Sequence, residues 1–144
     1  MDKKKTYSGN CFCGDIQVEV EGEPEAMGFC HCNSCRLWST SLVNAFTLWK
    51  PENVKITQGE AKVGAYHKTP KSIRKWCTTC GGHILTVHPM MDLVDVYAVI
   101  VPALPFKAGF HLHYQDTIHP MKDGLPKFKD LPAEAGGSGE QLPE

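Results

Sequence analysis

Hydrophobic and polar positions alternate over several short stretches of this chain. From Ile16 to Val20 and from His83 to His88 the alternation has the two-residue period of a strand with one buried face. Shorter stretches of the same kind run from Val54 to Ile56 and from Val63 to His67, and an aromatic-rich strand is predicted from Ser39 to Trp49. No stretch keeps the 3.6-residue period of an amphipathic helix. The pattern therefore predicts a mainly β domain with few or no helices.

One longer apolar run departs from this alternation. From Leu93 to Val101 nearly every position except Asp95 is apolar, which predicts a central strand buried on both faces. Pro102 and Pro105 end the run, because proline removes a backbone donor and fixes its own φ. The following segment, from Phe106 to Phe128, is predicted to be a loop.

The ends of the chain differ in composition from its middle. Residues 1–6 carry a short lysine-rich stretch and are predicted to form a mobile N-terminus. Residues 132–144 are glycine-rich and polar, which predicts a disordered tail. The part between them, residues 7–131, is long enough to bury a core and is predicted to be a single domain.

Charge and hydropathy exclude two classes of function. The chain of 144 residues has 15 basic and 16 acidic side chains and a formal net charge of −1, so it lacks the basic field expected of a nucleic-acid-binding protein. No run approaches the ~20 apolar residues of a membrane helix. Because no apolar signal segment precedes the first strand, we expect the seven cysteines to be reduced thiols in the cytoplasm.

Three of the seven cysteines fall within six residues. Cys30, Cys32 and Cys35 are too close in sequence to form an unstrained set of disulfides. A soft divalent metal can instead gather three thiolates from one tight turn, each at about 2.3 Å for zinc. Three ligands leave one tetrahedral position vacant, as in catalytic zinc sites. We therefore predict that this stretch is the reactive centre.

The other four cysteines form two pairs. The first pair has C-x-C spacing, the second has C-x-x-C spacing, and glycines beside both suit tight metal-binding turns. Seven thiols thus divide into a closed four-thiolate zinc and an open three-thiolate zinc, whereas an all-disulfide pattern would leave one cysteine unpaired. The predicted cofactors are two zinc ions, and the predicted ligands of the structural one are Cys11, Cys13, Cys77 and Cys80.

The chemistry of a three-thiolate zinc suggests a function. Such a zinc is a modest Lewis acid that binds a further thiol and holds it as the nucleophilic thiolate. Addition of that thiolate to an aldehyde carbon makes a carbon–sulfur bond, and the reverse step breaks it. Two alternatives remain open: a second structural zinc closed by His31 or His111, and a redox motif at Cys32 and Cys35. The redox motif needs a helix start, and no amphipathic helix is evident after Cys35.

Charged residues suggest how a substrate could be held. Arg36 lies beside the predicted open zinc and could hold an anion bidentately or form a structural ion pair. Arg74 and Lys75 end a basic run that could receive the carboxylates of glutathione or could be a solvated strand face. The histidines between Phe110 and Tyr114 could supply general acid–base chemistry or have a structural role.

The cysteine motifs resemble those of a known family. Gly9-x-Cys11-x-Cys13-Gly14, Cys30-His31-Cys32-x-x-Cys35-Arg36 and Cys77-x-x-Cys80-Gly81 follow one another as in the glutathione-dependent formaldehyde-activating enzymes, a family that also contains centromere protein V. Asp123-Gly124-Leu125-Pro126-x-Phe128 is similar to the closing motif of that family. The resemblance covers roughly Tyr7 to Leu131.

This resemblance implies a fold, an activity and a division of the ligands. It implies an Mss4-like, zinc-bound β-sheet domain and a carbon–sulfur lyase that joins glutathione and formaldehyde as S-(hydroxymethyl)glutathione. It also implies that Cys30, Cys32 and Cys35 are the catalytic zinc ligands and that the other four cysteines hold a structural zinc. The alternative from another class is a non-enzymatic, zinc-stabilised protein-binding module, because the Mss4-like fold serves in that role as well.

Overall fold

A computed structural model describes residues 4–144 and confirms a mainly β chain with a single short α-helix in that part. The first three residues of the predicted mobile N-terminus lie outside the described residues, and Thr6 already begins a strand. The elements in chain order are β1 (Thr6–Asn10), β2 (Gln17–Glu21), β3 (Ala26–Cys30), α1 (Asn33–Ser39), β4 (Asn44–Trp49), β5 (Val54–Gln58), β6 (Val63–Thr69), β7 (Ser72–Cys77), β8 (His83–His88), β9 (Leu93–Val96) and β10 (Phe110–Leu112).

The chain divides into two compact units where the sequence predicts one domain. The first unit contains the described chain up to Ala26 together with Thr47–Pro105, and the second contains Met27–Phe46 and Phe106–Glu144. Strand β4 crosses from the second unit into the first. The seven-residue helix α1 belongs to the second unit. No helix in residues 4–144 is long and apolar enough to cross a membrane.

The first unit is built from antiparallel strands. Strands β1, β2 and β5 pair in the order β1-β2-β5, and a second set continues from β4 in the order β4-β9-β8-β7-β6. In β2 the side chains of Val18 and Val20 are fully buried while Gln17 and Glu19 are partly exposed. The alternation seen in the sequence therefore does mark one buried face of this strand.

The prediction of a long central strand from Leu93 to Val101 is wrong in its second half. Strand β9 ends at Val96, and Ala98–Ile100 forms a 3-10 turn in which Val99 is 81% exposed. The amide of Ile100 donates to the carbonyl of Tyr97 at 2.8 Å, so the backbone closes a turn instead of continuing a ladder. An apolar run of this kind therefore does not distinguish a strand from a turn.

The second unit contains a parallel pair of strands. Strand β10 pairs with β3 so that His111 lies opposite Phe29 and Leu112 lies opposite Cys30. Strand β3 is in turn followed in the sheet order by β4. The loop prediction for the segment from Phe106 to Phe128 is therefore wrong at Phe110–Leu112. Phe110-His111-Leu112 does alternate, but three residues are too few to predict a strand that pairs with a distant partner.

Residues 132–144, for which the sequence predicts a disordered tail, contain a turn and form backbone hydrogen bonds in the structure. Ala133–Ala135 forms a 3-10 turn, and the amide of Leu142 donates to the carbonyl of Lys127 at 2.8 Å. The carboxylate of Asp130 also accepts hydrogen bonds from the amide and the hydroxyl of Ser138. Backbone pairing and this local turn chemistry order a segment whose composition contains few apolar residues.

Candidate metal centres

The first candidate metal centre lies in the first unit. The sulfur atoms of Cys11, Cys13, Cys77 and Cys80 all lie within 4.8 Å of one another. The Sγ atoms of Cys11 and Cys13 are 3.7 Å apart, and those of Cys13 and Cys77 are 3.8 Å apart. A tetrahedron with zinc–sulfur bonds of about 2.3 Å has edges of about 3.8 Å. The spacing of these thiols therefore fits a tetrahedral zinc ion with four protein ligands.

The four thiols lie on two turns. Cys11 follows β1 directly, and Cys77 ends β7 before a turn closed by a 2.7 Å hydrogen bond from the amide of Gly81 to the carbonyl of Cys77. Gly81 has φ +77°, a left-handed conformation that favours glycine. The amide of Gly82 donates to Cys80 Sγ at 3.4 Å and lowers the pKa of that thiol to about 7. The turn thus stabilises the thiolate that a metal requires.

The second candidate centre lies in the second unit. The sulfur atoms of Cys30, Cys32 and Cys35 lie within 4.8 Å of one another, so the structure brings the predicted reactive thiols together. Cys30 ends β3 and is buried, Cys32 is the N-cap of α1, and Cys35 lies in the first turn of that helix. The amide of Cys35 donates to Cys32 Sγ at 3.3 Å. The end of β3 and the start of α1 thus bring the three thiols close together.

The three thiols of the second centre differ in how readily they ionise. Hydrogen bonds from Cys30 and Cys35 lower the pKa of the Cys32 thiol, whereas the hydrogen bonds that Cys30 makes to the same two neighbours raise the pKa of Cys30 well above its usual value. Two neutral thiols can support one thiolate, but further thiolates in the same small space repel each other. Full ionisation of this cluster therefore requires a cation, and the donor set suits zinc.

Helix α1 was not predicted from the sequence. It has seven residues, and none of them is buried, so no apolar stripe marks it in the sequence. The helix also shortens the predicted strand from Ser39 to Trp49, because β4 begins only at Asn44. Cys32 and Cys35 do stand at a helix start, as in redox motifs, but the thiol of Cys30 shares their site. A third thiol at this distance favours metal binding over a dithiol pair.

Among the described residues, no histidine or carboxylate joins either group of clustered ligand atoms. His31 was one candidate for closing the second centre, but its Nε2 lies 2.8 Å from Nδ1 of His111. His111, the other candidate, also bonds Asp123 Oδ2 through its Nε2 at 2.7 Å. Both nitrogens of His111 are therefore engaged with protein groups. The structure supports a three-cysteine centre over a site closed by either histidine.

The predicted substrate-binding cations lie in different parts of the chain. Arg36 lies on α1 beside the three cysteines, and its Nε donates to the carbonyl of His31 at 2.9 Å. Arg74 and Lys75 belong to β7 in the first unit, where Arg74 is buried and its Nη1 lies 3.4 Å from Oγ1 of Thr86. The structure thus groups Arg36 alone with the three-cysteine centre within one unit. A substrate-binding role for each of the three cations stays a prediction.

Sequence reasoning did not find the buried polar network behind the second centre. Asp123 bonds His111, and Nζ of the fully buried Lys127 lies 2.7 Å from Asp123 Oδ1. Burial opposes ionisation of Asp123, but hydrogen bonds from Lys127 and His111 hold the pKa of its carboxyl well below its usual range. The only sequence signal was the Asp123–Phe128 motif, which names these residues without showing what they contact.

The two donor sets predict the metal content of the protein. Protein purified under reducing conditions should contain close to two zinc ions per chain, because each cluster provides three or four thiols within bonding reach of one ion. A mild chelator should remove one ion while far-ultraviolet circular dichroism stays unchanged, since the centre with three protein ligands holds its metal less firmly. Elemental analysis before and after chelation measures both. Fewer than one zinc per chain would contradict this division of the cysteines.

One known protein is similar to this chain in sequence and another in fold. A curated relative from Schizosaccharomyces pombe (strain 972 / ATCC 24843), named an uncharacterized lyase, is 32% identical over 75 residues, which are 52% of this chain and 53% of that protein. The match thus spans about half the length of each. The crystal structure of a Rhodobacter sphaeroides protein has the same fold, with a TM-score of 0.56 and 18% identity over 67% of this chain and 89% of that one.

The family itself is shown by a match over most of the chain. The family model described as glutathione-dependent formaldehyde-activating enzyme matches residues 6–114, a range that includes all seven cysteines of both clusters. None of these cysteines forms a disulfide in the structure, so all seven are available as ligands. The chain belongs to the glutathione-dependent formaldehyde-activating enzyme family.

Proposed function

We propose that this protein is a zinc-dependent carbon–sulfur lyase that joins a thiol to a small aldehyde and reverses that addition. The observation that carries the proposal is the cluster of Cys30, Cys32 and Cys35, which has no fourth ligand among the described residues. Membership of the family and the lyase name of the fission yeast relative support a lyase-like role. The preferred thiol is glutathione and the preferred aldehyde is formaldehyde, as the family name implies.

The three cysteines would hold zinc by their sulfur atoms. When bound, the zinc ion would supply a fourth coordination position and lower the pKa of a substrate thiol. The hydrogen bonds from the thiols of Cys30 and Cys35, together with the amide of Cys35, lower the pKa of the Cys32 thiol and favour its anionic form. Cys32 and Cys35 are half-buried, so the site is accessible from solvent on the side of α1. A reducing compartment such as the cytoplasm would keep all seven thiols competent to bind metal.

The reaction balances without a redox partner. The sulfur electron pair forms a bond to the aldehyde carbon, the carbonyl π pair moves onto oxygen, and that oxygen takes up the proton that the thiol releases. The reverse step breaks the same carbon–sulfur bond and returns the proton to sulfur. Arg36 lies in the first two turns of α1 beside Cys35 and is half-buried. In this proposal it orients a carboxylate of glutathione.

Cobalt substitution tests the binding step directly. Cobalt bound to sulfur has visible bands that report the number of sulfur ligands. Adding glutathione to cobalt-loaded protein should shift the bands of the three-cysteine centre, and Cys35→Ser should abolish the response. The bands that remain in Cys35→Ser belong to the four-cysteine centre, so this variant also identifies which bands come from which centre. If no thiol changes the spectrum of the wild-type protein, the lyase proposal loses its mechanism and the zinc-stabilised binding module becomes the better description.

The choice of glutathione is tested separately by charge. Arg36→Gln should weaken the response to glutathione about tenfold while changing the response to mercaptoethanol, which has no carboxylate, less than twofold; a lost charge-assisted hydrogen bond has about this effect. Arg74→Glu is not a suitable variant, because Arg74 is buried and a carboxylate there would lack solvent. Equal weakening of both thiols by Arg36→Gln would leave the lyase proposal standing and contradict the role of Arg36 as a carboxylate ligand.

A further inference from the structure

Four buried or partly buried polar residues form one hydrogen-bonded chain in the second unit. Lys127 Nζ lies 2.7 Å from Asp123 Oδ1, and the other oxygen of Asp123 lies 2.7 Å from His111 Nε2. Nδ1 of His111 then lies 2.8 Å from Nε2 of His31. The side chains of His31, His111 and Lys127 are almost fully buried. Burying so many polar groups is costly unless they are paired, and here each is paired with the next.

The chain fixes where the protons lie. An ionised carboxylate only accepts, so Nε2 of His111 carries the proton that it donates to Asp123. In the tautomer that has a single proton on His111, Nδ1 of His111 accepts and Nε2 of His31 donates. This leaves Nδ1 of His31 as a bare acceptor, and it is the single buried side-chain polar atom without a hydrogen bond among the described residues. Asp123 thus fixes the proton on Nε2 of His111, and in this tautomer the bond between the two rings runs from His31 to His111.

His31 stands between two of the three clustered cysteines. Its ring lies 5.1 Å from the ring of His111, as does the ring of Phe29, so the side chains before and after Cys30 contact the same histidine. Because side chains alternate along an extended chain, Cys30 points to the opposite side. The carbonyl of His31 accepts from Arg36 Nε, and its amide donates to the carbonyl of Leu112 at 3.0 Å. Ring and backbone of His31 are therefore both held.

We propose that the chain Lys127–Asp123–His111–His31 is a positioning device for the three-cysteine centre. By anchoring the ring of His31 it fixes the backbone between Cys30 and Cys32 and so holds the three sulfur atoms in a metal-binding arrangement. Residues of this chain act through the backbone and do not touch the substrate. The inference rests on the proposed function only in taking the three cysteines as a metal site.

The test compares metal loss from the two centres of the full-length, cobalt-loaded protein. His111→Phe keeps a ring against Phe29 but removes both nitrogens. It should speed chelator-driven cobalt loss from the three-cysteine centre by about 10–100-fold, the size of effect usual for residues that orient metal ligands. Loss from the four-cysteine centre should change less than twofold. His111→Asn has an Oδ1 that can accept the proton of His31 Nε2. This variant should lose cobalt from the three-cysteine centre more slowly than His111→Phe but faster than the wild-type protein.

Tyr114→Phe is the matched control. The ring of Tyr114 contacts both His31 and His111, at 4.9 and 5.7 Å between centroids, and its hydroxyl accepts from the amide of Met121 outside the chain. Removing that hydroxyl should leave cobalt loss from the three-cysteine centre within twofold of wild type. Equal acceleration at that centre by Tyr114→Phe and His111→Phe, or no acceleration by His111→Phe, would overturn the positioning role.

Asp123→Asn provides a second variant if His111→Phe does not fold. The neutral amide cannot make the charge-assisted hydrogen bonds that the carboxylate makes to His111 and Lys127, so the anchoring is weakened and cobalt loss should again accelerate selectively at the three-cysteine centre. Nitrogen-15 spectra of the zinc-loaded wild-type protein should show His31 protonated at Nε2 and bare at Nδ1; protonation at Nδ1 would overturn the proposed chain. Both readouts concern the protein without substrate, so they remain decisive even if no thiol perturbs the cobalt spectrum.

Discussion

Cys77→Ser is expected to unfold the protein, whereas Cys35→Ser is expected to leave it folded with one metal ion. Cys77 is fully buried and ends β7, and its sulfur shares a centre with Cys11, which lies more than sixty residues earlier in the sequence. A structural zinc contributes about 10–16 kcal/mol in small zinc domains, which is comparable to the total stability of a typical domain of about 5–15 kcal/mol. Loss of one of four thiolate ligands therefore removes most of the net stability.

Cys35 has a different position. It lies in the first turn of a seven-residue helix with no buried residue, so few packing contacts depend on it. Cys35→Ser should lower the metal content to one ion per chain, abolish thiol binding and keep the circular dichroism spectrum. Because both variants replace cysteine by serine, each controls for the chemistry of the other. If Cys35→Ser unfolds the protein as Cys77→Ser does, both metals are structural.

Gly9→Ala is expected to destabilise the protein by about 3 kcal/mol or more, within the range that overpacking and backbone displacement produce. A Cβ on Gly9 would lie 1.5 Å from the carbonyl oxygen of Ile100 and 2.6 Å from its carbon. Both atoms belong to backbone, so no side-chain rotation relieves the contact. Strand β1 or the turn Ala98–Ile100 must move, and Cys11 follows β1 directly. The variant should therefore also weaken metal binding at the four-cysteine centre.

Gly109→Ala is the matched control for this substitution. The nearest atom to a Cβ at that position is the carbonyl oxygen of Met27 at 3.7 Å, an ordinary van der Waals distance. The control should change the free energy of unfolding by less than about 1 kcal/mol, since replacing glycine by alanine at a compatible position has effects of that size. Urea unfolding of the zinc-loaded proteins measures both. A Gly9→Ala protein within 1 kcal/mol of wild type would contradict the close approach.

Much of the β structure followed from local pattern. Strand β8 was predicted with its observed bounds, and β2, β5 and β6 were predicted near theirs, because each carries a local strand pattern of apolar and polar residues. In β2 this pattern matches one buried face, whereas β5 and β6 contain no buried residue. The strands that were missed have other determinants. Strand β3 lies beside β10, and β10 has three residues, so their pairing depends on contacts between distant parts of the chain. Helix α1 was missed because its exposed residues carry no periodic signal.

The candidate site was also predicted only in part from the sequence. The grouping of seven cysteines into four and three was predicted from spacing, and the structure brings the same residues together. Arg74 shows the limit of this reasoning. Its charge suggested a substrate contact, but in the structure its side chain is buried on β7 and close to the hydroxyl of Thr86. Residue type indicates what a side chain can do, whereas burial determines what reaches it.

The sequence by itself indicated which residues can bind metal, because thiols spaced within a few residues reach one ion almost regardless of the surrounding fold. That the pair Cys11 and Cys13 meets the pair Cys77 and Cys80 depends on the tertiary structure, since the two pairs are far apart in the sequence. The sequence also determined the mainly β character, since alternation is a local property of the chain. Only the tertiary structure decided that His31 bonds His111, that His111 bonds Asp123, and that neither histidine joins the clustered thiols. These residues are separated by up to about ninety positions, and hydrogen bonds over such distances leave no local pattern in a sequence.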